Sequence, residues 1–319
     1  MSLVEKTDPL IHNDTKTVDV VVKKDVAVFN SLVSGACAGA VAKTVIAPLD
    51  RTKIKFQVSK TPFTYQKACE ILYKGYKKNG LWSWWRGNSA TMARVIPYAS
   101  IQFTAHEQLK LYFGSKHNVA LPPGKRFIAG SLAGASAVCF TYPFDMVRAR
   151  MAVARRTQYR TLRHAFATIY RQEGPKTFFN GFIPTLFGIT PYAGTSFFVY
   201  ETLKKKYHTK YPGIDLPALY RLGFGAVAGI CGQGFSYPLD IIRRRMQTDG
   251  VDGKGYKYRK LIWTIKYILR TEGIIKGFYK GMSINWIKGP VAVGVSFMTF
   301  DTVQHFLDII LHQSEVHTW

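Results

Sequence analysis

Long apolar runs with almost no charge alternate with strongly charged stretches along the chain. Each run is about 18 to 24 residues long, the length that a helix needs to cross the hydrocarbon core of a membrane. Polar Ser, Thr, Asn and Gln within the runs suit helices that turn one face to lipid and the other to a wet cavity. Buried helices of a large soluble domain are the alternative. The six runs are Val26–Leu49, Asn88–Ala105, Phe127–Phe144, Gly181–Tyr200, Leu222–Leu239 and Met282–Phe300.

A threefold internal repeat groups these runs into pairs. The equally spaced prolines Pro48, Pro143 and Pro238 each lie near the end of the first run of a pair, and an aspartate follows two residues later. Two glycines four residues apart precede each proline, a spacing that predicts close approach of helix backbones in lipid. These pairs are Gly35 and Gly39, Gly130 and Gly134, and Gly225 and Gly229.

The second half of each unit repeats as well, through the segments 79–87, 173–181 and 272–281. Each unit is therefore predicted to be a helix, a loop with a short amphipathic helix, and a second helix. Arg259–Arg270 illustrates the loop helix, because its apolar residues Ile262, Ile265 and Leu269 have helical spacing. The resulting boundaries are an N-terminal tail at 1–25 and units at 26–115, 125–208 and 217–312.

The chain carries 44 Lys and Arg against 19 Asp and Glu, a formal charge of +25. In a soluble protein this charge favours binding to nucleic acid or another anionic surface. Here the basic residues cluster between the apolar runs, so a nucleic-acid-binding protein is the weaker alternative. No nucleophile and base recur together, which argues against an enzyme. The four cysteines form no CxxC and the eight histidines lack ligand spacing, so neither a metal site nor a cofactor is predicted.

Charged residues at equivalent positions predict two rings around a threefold axis. The first charge ring comprises Asp50, Asp145 and Asp240, each with a base three residues later, at Lys53, Arg148 and Arg243. Charges of both signs inside a membrane face a cavity and pair, so this ring can close one end of a pore. The second charge ring lacks one base and is expected to be the weaker lock; it comprises Glu107, Lys110, Glu201, Lys204 and Asp301, with Gln304 in the last basic position.

Substrate contacts should break the repeat, because a small ligand is not threefold symmetric. Arg94, Gly188 and Lys288 occupy one repeat position, and each cation is the only charge in its run. Lys43 is the only charge in the first run and should face the same cavity. These three cations fit a polyanionic ligand. The alternative is side chains that snorkel to the membrane surface.

The triple motif resembles the signature of the mitochondrial carrier family: Pro-x-acid-x-x-base-x-base, then Glu-Gly and aromatic-basic-Gly. The similarity runs from about residue 26 to 312, and Asn79, Asn180 and Gln304 depart from it. The resemblance implies an all-α membrane protein, with six transmembrane helices in three pseudo-symmetric repeats and short amphipathic loop helices. It places both protein ends in the intermembrane space; loop charge densities are nearly equal and do not decide the orientation.

The resemblance also implies roles for the charge rings. The first becomes a matrix gate and the second a cytoplasmic gate, and Gln57 and Gln247 match the family's glutamine brace while Ala152 leaves one brace absent. Arg94, Gly188 and Lys288 match the substrate contact points, with Ile189 beside Gly188 as an adenine-accepting pair. The implied matrix pairs are Asp50–Arg148, Asp145–Arg243 and Asp240–Lys53.

Four segments resemble the branch of the family that carries coenzyme A. The resemblance implies a monomeric antiporter of the mitochondrial inner membrane that imports coenzyme A in exchange for adenine nucleotides or adenosine 3′,5′-diphosphate. It implies no nucleic-acid partner and contact with membrane lipid such as cardiolipin. ADP/ATP exchange, ATP-Mg/phosphate exchange, and a proton leak or structural pore are the alternatives. The segments are Ala47–Gln57, Trp85–Tyr98, Tyr142–Val153 and Ser283–Phe297.

Overall fold

A computed structural model describes residues 30–114, 122–155, 157–251, 255–258 and 260–316. The predicted tail at 1–25 lies outside these residues. Within them the chain is helical and contains no strand. The described residues therefore have the all-α fold class that was expected from the sequence.

The long helices carry the six apolar runs, and short helices lie in the loops. Two 3-10 turns, Leu81–Trp85 and Pro175–Phe179, precede the second helix of the first two units. The α-helices are α1 Asn30–Val45, α2 Ala47–Val58, α3 Tyr65–Asn79, α4 Asn88–Tyr112, α5 Pro123–Val153, α6 Leu162–Glu173, α7 Phe182–Lys210, α8 Ala218–Gln247, α9 Leu261–Glu272, α10 Ile274–Phe278 and α11 Met282–Val316.

Two helical segments of the described chain are long and apolar enough to cross a membrane by composition alone, Gly124–Val153 and Pro175–Lys210. The bent pair α1 and α2 makes a third if it counts as one span. The other long helices fall short because they carry polar and charged residues, such as Arg94 in α4 and Lys288 in α11. The repeat therefore identifies spans that hydropathy alone leaves out.

The described residues form two compact units, one within 46–290 and the other within 30–45 and 291–316. Within 46–290, α4 packs on α5 and α7 packs on α8. The helices α2, α5 and α8 contact one another in all three combinations. Because each carries an aspartate and a base of the first charge ring, this convergence brings that ring together.

The motif prolines act differently in the three units. Pro48 lies in the first turn of α2, directly after the interruption at Ile46. By contrast, α5 continues through Pro143 and α8 continues through Pro238. These helices therefore extend about three turns beyond the prolines and include the first charge ring within their length.

Close backbone approach occurs at a different glycine from those predicted. A Cβ at Gly130, Gly134, Gly225 or Gly229 would meet no heavy atom within 4 Å, so the predicted close approach at these four positions is wrong. A Cβ at Gly232 would lie 2.9 Å from the carbonyl oxygen of Tyr192 and would overlap Ser196. Gly232 therefore permits the tight packing of α8 on α7.

The loop helix of the third repeat begins two residues later than predicted, and its apolar residues differ in exposure. Thr264 and Ile268 of α9 are buried, and Ile265 is packed at the edge of the same cluster. Ile262 and Leu269 are exposed. The apolar spacing thus identified the helix, but its buried side follows Ile268, which packs with Tyr237 and Ile241 of α8.

Candidate functional site

The first charge ring forms three ion pairs between neighbouring helices. Arg148 of α5 pairs with Asp50 of α2, and Arg243 of α8 pairs with Asp145 of α5. The Nζ atom of Lys53 lies 2.8 Å from Oδ2 of Asp240, which joins α2 to α8. These are the three pairs expected from the sequence. The Asp145 side chain is 2% exposed, so this pair in particular is shielded from solvent.

Two glutamines connect this ring to buried tyrosines. Nε2 of Gln57 donates to Oδ2 of Asp240 at 3.0 Å and to the Tyr237 hydroxyl at 3.3 Å. Nε2 of Gln247 donates to Asp145 at 3.4 Å and to the Tyr142 hydroxyl at 3.0 Å. Both expected glutamines therefore lie beneath a ring aspartate.

The tyrosines were missed in the sequence, although a signal was present. Tyr142 and Tyr237 directly precede the motif prolines, whereas Ala47 takes this position in the first unit. Ala152 stands where a third glutamine would be, and Ala47 and Ala152 line the same small void. The interface between α2 and α5 thus lacks both members of the glutamine–tyrosine contact.

A cavity of 460 Å³ adjoins the ring and collects the repeat-breaking positions. Arg94, Gly188, Ile189 and Lys288 all line it. A Cβ at Gly188 would lie in ordinary contact with Leu239, at 3.7 Å. The glycine therefore leaves a recess beside Ile189, and any larger side chain there would extend into the cavity.

The two cavity cations expected to bind substrate are paired with ring acids. Nη1 of Arg94 lies 3.1 Å from Oδ1 of Asp145, and Nζ of Lys288 lies 2.5 Å from Oδ1 of Asp50. Arg94 also stacks over the Tyr98 ring, 4.9 Å from its centroid. The cavity and the ring are therefore electrostatically connected through these acids.

Arg244 is a further cavity residue that the sequence analysis missed. Its guanidinium lies 3.9 Å from both Asp145 and Asp240, and it donates to Oε1 of Gln247 at 2.9 Å. The equivalent residues of the other units are Ile54 and Ala149. Arg244 thus breaks the repeat as a cation, which is the criterion that identified Arg94 and Lys288 and could have identified Arg244.

A glycine fixes the start of α7 against the ring. Gly181 has φ of 82°, and a Cβ there would lie 2.9 Å from the carbonyl oxygen of Arg243. A larger residue would strain the left-handed backbone and collide with α8. Gly181 therefore holds α7 and its recess at Gly188 close to the ring.

The second charge ring is not closed by ion pairs between helices in residues 46–290. Nζ of Lys110 lies 2.8 Å from Oε1 of Glu107, one turn away on the same helix, and both side chains are partly exposed. Glu201 and Lys204 form no ion pair with a described residue of this unit. Asp301 and Lys43 belong to the other unit, where both are exposed.

Comparison with known proteins identifies the family. The sequence model of mitochondrial carrier proteins matches residues 24–117, 119–211 and 215–309. The chain belongs to the mitochondrial carrier family. This carrier is 56% identical to the mitochondrial coenzyme A transporter of Danio rerio, over 89% of each chain. It is 54% identical to that of Homo sapiens over 88% of each. Mitochondrial substrate carrier family protein P of Dictyostelium discoideum is 36% identical, over 87% of this carrier and 94% of the relative.

Proposed function

We propose that this carrier is an antiporter of the mitochondrial inner membrane that imports coenzyme A in exchange for adenine nucleotides or adenosine 3′,5′-diphosphate. The observation that carries the proposal is the cavity in which Arg94, Lys288 and Arg244 lie beside the recess at Gly188 and Ile189. Relatives named as coenzyme A transporters support this choice of substrate.

The cavity suits a phosphorylated adenine compound. Guanidinium and ammonium groups are good partners for phosphate oxygens, and guanidinium can contact them in a bidentate manner. The recess at Gly188 can accept a flat ring, with Ile189 as an apolar contact. Coenzyme A has both features in one molecule, and its 3′-phosphate adds charge that ADP lacks at that position.

Substrate binding can loosen the first charge ring. Arg94 and Lys288 contact Asp145 and Asp50, so phosphates that bind these cations compete with the ring acids. Asp145 and Asp50 then each lose one of their cationic partners. A substrate therefore weakens the closed end of the cavity at the moment it is bound, which is what alternating access requires.

The arrangement also fits one state of a transport cycle. The first charge ring is paired between helices, whereas the ion pair that Glu107 forms within residues 46–290 is with Lys110 of its own helix. In the opposite state of the cycle the first charge ring would be unpaired and the second charge ring would be paired between helices. We assign the first charge ring to the matrix side and the second to the cytoplasmic side from the family, with the monomer as transporting unit and anionic lipid such as cardiolipin around it.

A substrate panel in proteoliposomes tests the proposal. Vesicles that contain the purified carrier and internal adenosine 3′,5′-diphosphate are supplied with labelled coenzyme A, ADP, ATP-Mg or phosphate. We expect the fastest initial uptake for coenzyme A. Uptake of ADP or ATP-Mg with no uptake of coenzyme A would assign the carrier to nucleotide exchange instead.

A further inference from the structure

Position 79 breaks the repeat at a place that the proposed transport cycle does not use. The equivalent residues Glu173 and Glu272 are each held by a buried arginine. Nη2 of Arg150 donates to Oε2 of Glu173 at 2.9 Å. Arg245 contacts both carboxylate oxygens of Glu272, at 2.6 and 2.8 Å. In the first unit this carboxylate is absent, because residue 79 is Asn.

The first repeat has the basic partner although it lacks the acid. Lys55 occupies the repeat position of Arg150 and Arg245. Within the described chain no carboxylate forms an ion pair with Lys55, and the charges that act on its ammonium are those of Arg51 and Arg86. Like charges held together in a partly buried site repel one another and attract an anion.

A separate cavity of 390 Å³ lies at this position. Its lining includes Arg51, Lys55, Lys78, Asn79, Arg86 and Arg155, five of them cationic. We name it the anion cavity. It shares no lining residue with the cavity that adjoins the first charge ring.

Two of its guanidinium groups are held in place by backbone carbonyls. Arg86 donates to the carbonyl oxygens of Ala154 at 2.7 Å and Tyr159 at 3.0 Å. Nε of Arg51 donates to the carbonyl oxygen of Ala152 at 3.1 Å. Part of the cavity wall is therefore preorganised, which lowers the entropic cost of binding.

We propose that the anion cavity binds a phosphate group, which takes the place of the carboxylate missing at Asn79. Clustered Lys and Arg side chains are suited to phosphate oxygens. The phosphate can belong to a soluble compound or to a lipid headgroup, since both present the same oxygens. In either case it links α2 to the loop helix α3, as Glu173 and Glu272 link the corresponding elements of the other units.

Thermal unfolding of the full-length carrier in detergent, titrated with pyrophosphate at constant ionic strength, tests this site. We expect a saturable rise in the melting temperature of the unmodified carrier. Asn79→Glu supplies the missing carboxylate, so it should raise the melting temperature without pyrophosphate and weaken its apparent affinity by about tenfold or more. Asn79→Gln is the matched control and should respond like the unmodified carrier.

Further arms separate this site from the proposed substrate site and identify the source of the phosphate. Arg94→Ala with Lys288→Ala should keep the Asn79-dependent response, because these residues lie in the other cavity. Lys55→Gln should weaken the response and serves as the test if Asn79→Glu does not fold. In neutral-lipid nanodiscs with and without cardiolipin, stabilisation that Asn79→Glu abolishes identifies a lipid headgroup. If Asn79→Glu and Lys55→Gln match the unmodified carrier with both pyrophosphate and cardiolipin, the proposal is wrong.

Discussion

At the scale of single residues, the cavity cations contact the acids that close the first charge ring. Arg94 reaches Asp145, Lys288 reaches Asp50, and Arg244 lies between Asp145 and Asp240. Gly188 removes a side chain at the position where the other units have a cation. Arg244 thus supplies, from α8, the charge that α7 lacks.

Substitutions at the repeat-breaking positions should distinguish the contribution of charge to substrate binding from the contribution of cavity shape. Arg94→Ala or Lys288→Ala should lower the preference for coenzyme A and adenosine 3′,5′-diphosphate over ADP by about tenfold or more. The reason is that either substitution removes a charge-assisted contact with the substrate. Gly188→Leu should instead exclude all three adenine compounds alike. Initial uptake rates in proteoliposomes measure both effects. Unchanged transport of every substrate by all three variants would mean that the substrate binds elsewhere.

The position of Arg244 predicts a role in both binding and closure. Arg244→Ala should reduce coenzyme A uptake by about tenfold or more, through loss of a charge-assisted contact near Asp145 and Asp240. Arg270→Ala removes a charge from the exposed side of α9 and is the matched control. Competition assays with ADP would report the effect on binding. Equal uptake by the Arg244→Ala and Arg270→Ala variants would remove Arg244 from the site.

At the scale of elements, the ring joins α2, α5 and α8 by pairs whose surroundings differ. Lys53 and Asp240 offer the cleaner charge exchange, because Arg244 is the one arginine that contacts Asp240 among the described residues. We expect Lys53→Asp and Asp240→Lys each to abolish transport and the double variant to recover part of it. Such recovery appears as non-additivity in a double-mutant cycle; additive losses would contradict the pairing.

The exchange Asp145→Arg with Arg243→Asp should also recover transport relative to either single variant, but less completely. Asp145 additionally contacts Arg94 and Arg244, which would face a third arginine after the exchange. Comparison of the two double variants in the same uptake assay measures this difference. Better recovery at Asp145 than at Lys53 would show that the neighbouring arginines do not matter.

The loop helix α9 is attached to α8 through a carboxylate that should make stability depend on pH. Burial raises the pKa of Glu272, but its contacts with Arg245 and Lys280 outweigh burial and lower the pKa overall. The stability that these contacts add to the folded carrier is therefore complete above the ordinary carboxylate pKa. It is lost as pH falls through the lowered pKa. Glu272→Gln should destabilise the carrier at neutral pH by about 3–5 kcal/mol.

Acid titration of thermal stability provides the check on this carboxylate. The loss of stability below about pH 4 should be smaller in Glu272→Gln than in the unmodified carrier. Glu70→Gln, which alters an exposed carboxylate paired with Lys74 on α3, should change the profile far less, because exposed pairs contribute little. Identical acid profiles for the Glu272→Gln and unmodified carriers would contradict the assignment.

At the scale of the whole molecule, the repeat determined how much could be predicted. Equivalent spacing identified the family and the helical architecture, and the resemblance to that family then implied the three acid–base pairs. Spacing did not identify Tyr142, Tyr237 or Arg244, whose roles depend on contacts between different repeats. Close approach at Gly130, Gly134, Gly225 and Gly229 was predicted wrongly, since spacing shows which residues share a face but not what covers it.

Dependence of transport on internal substrate is the most direct test of the central claim, that the first charge ring opens when substrate draws Arg94 and Lys288 away from its acids. Initial coenzyme A uptake is compared between proteoliposomes loaded with adenosine 3′,5′-diphosphate and empty ones. Rapid uptake into loaded vesicles with little into empty ones is predicted. Equal uptake into both would show that the ring opens without bound substrate and would contradict the account.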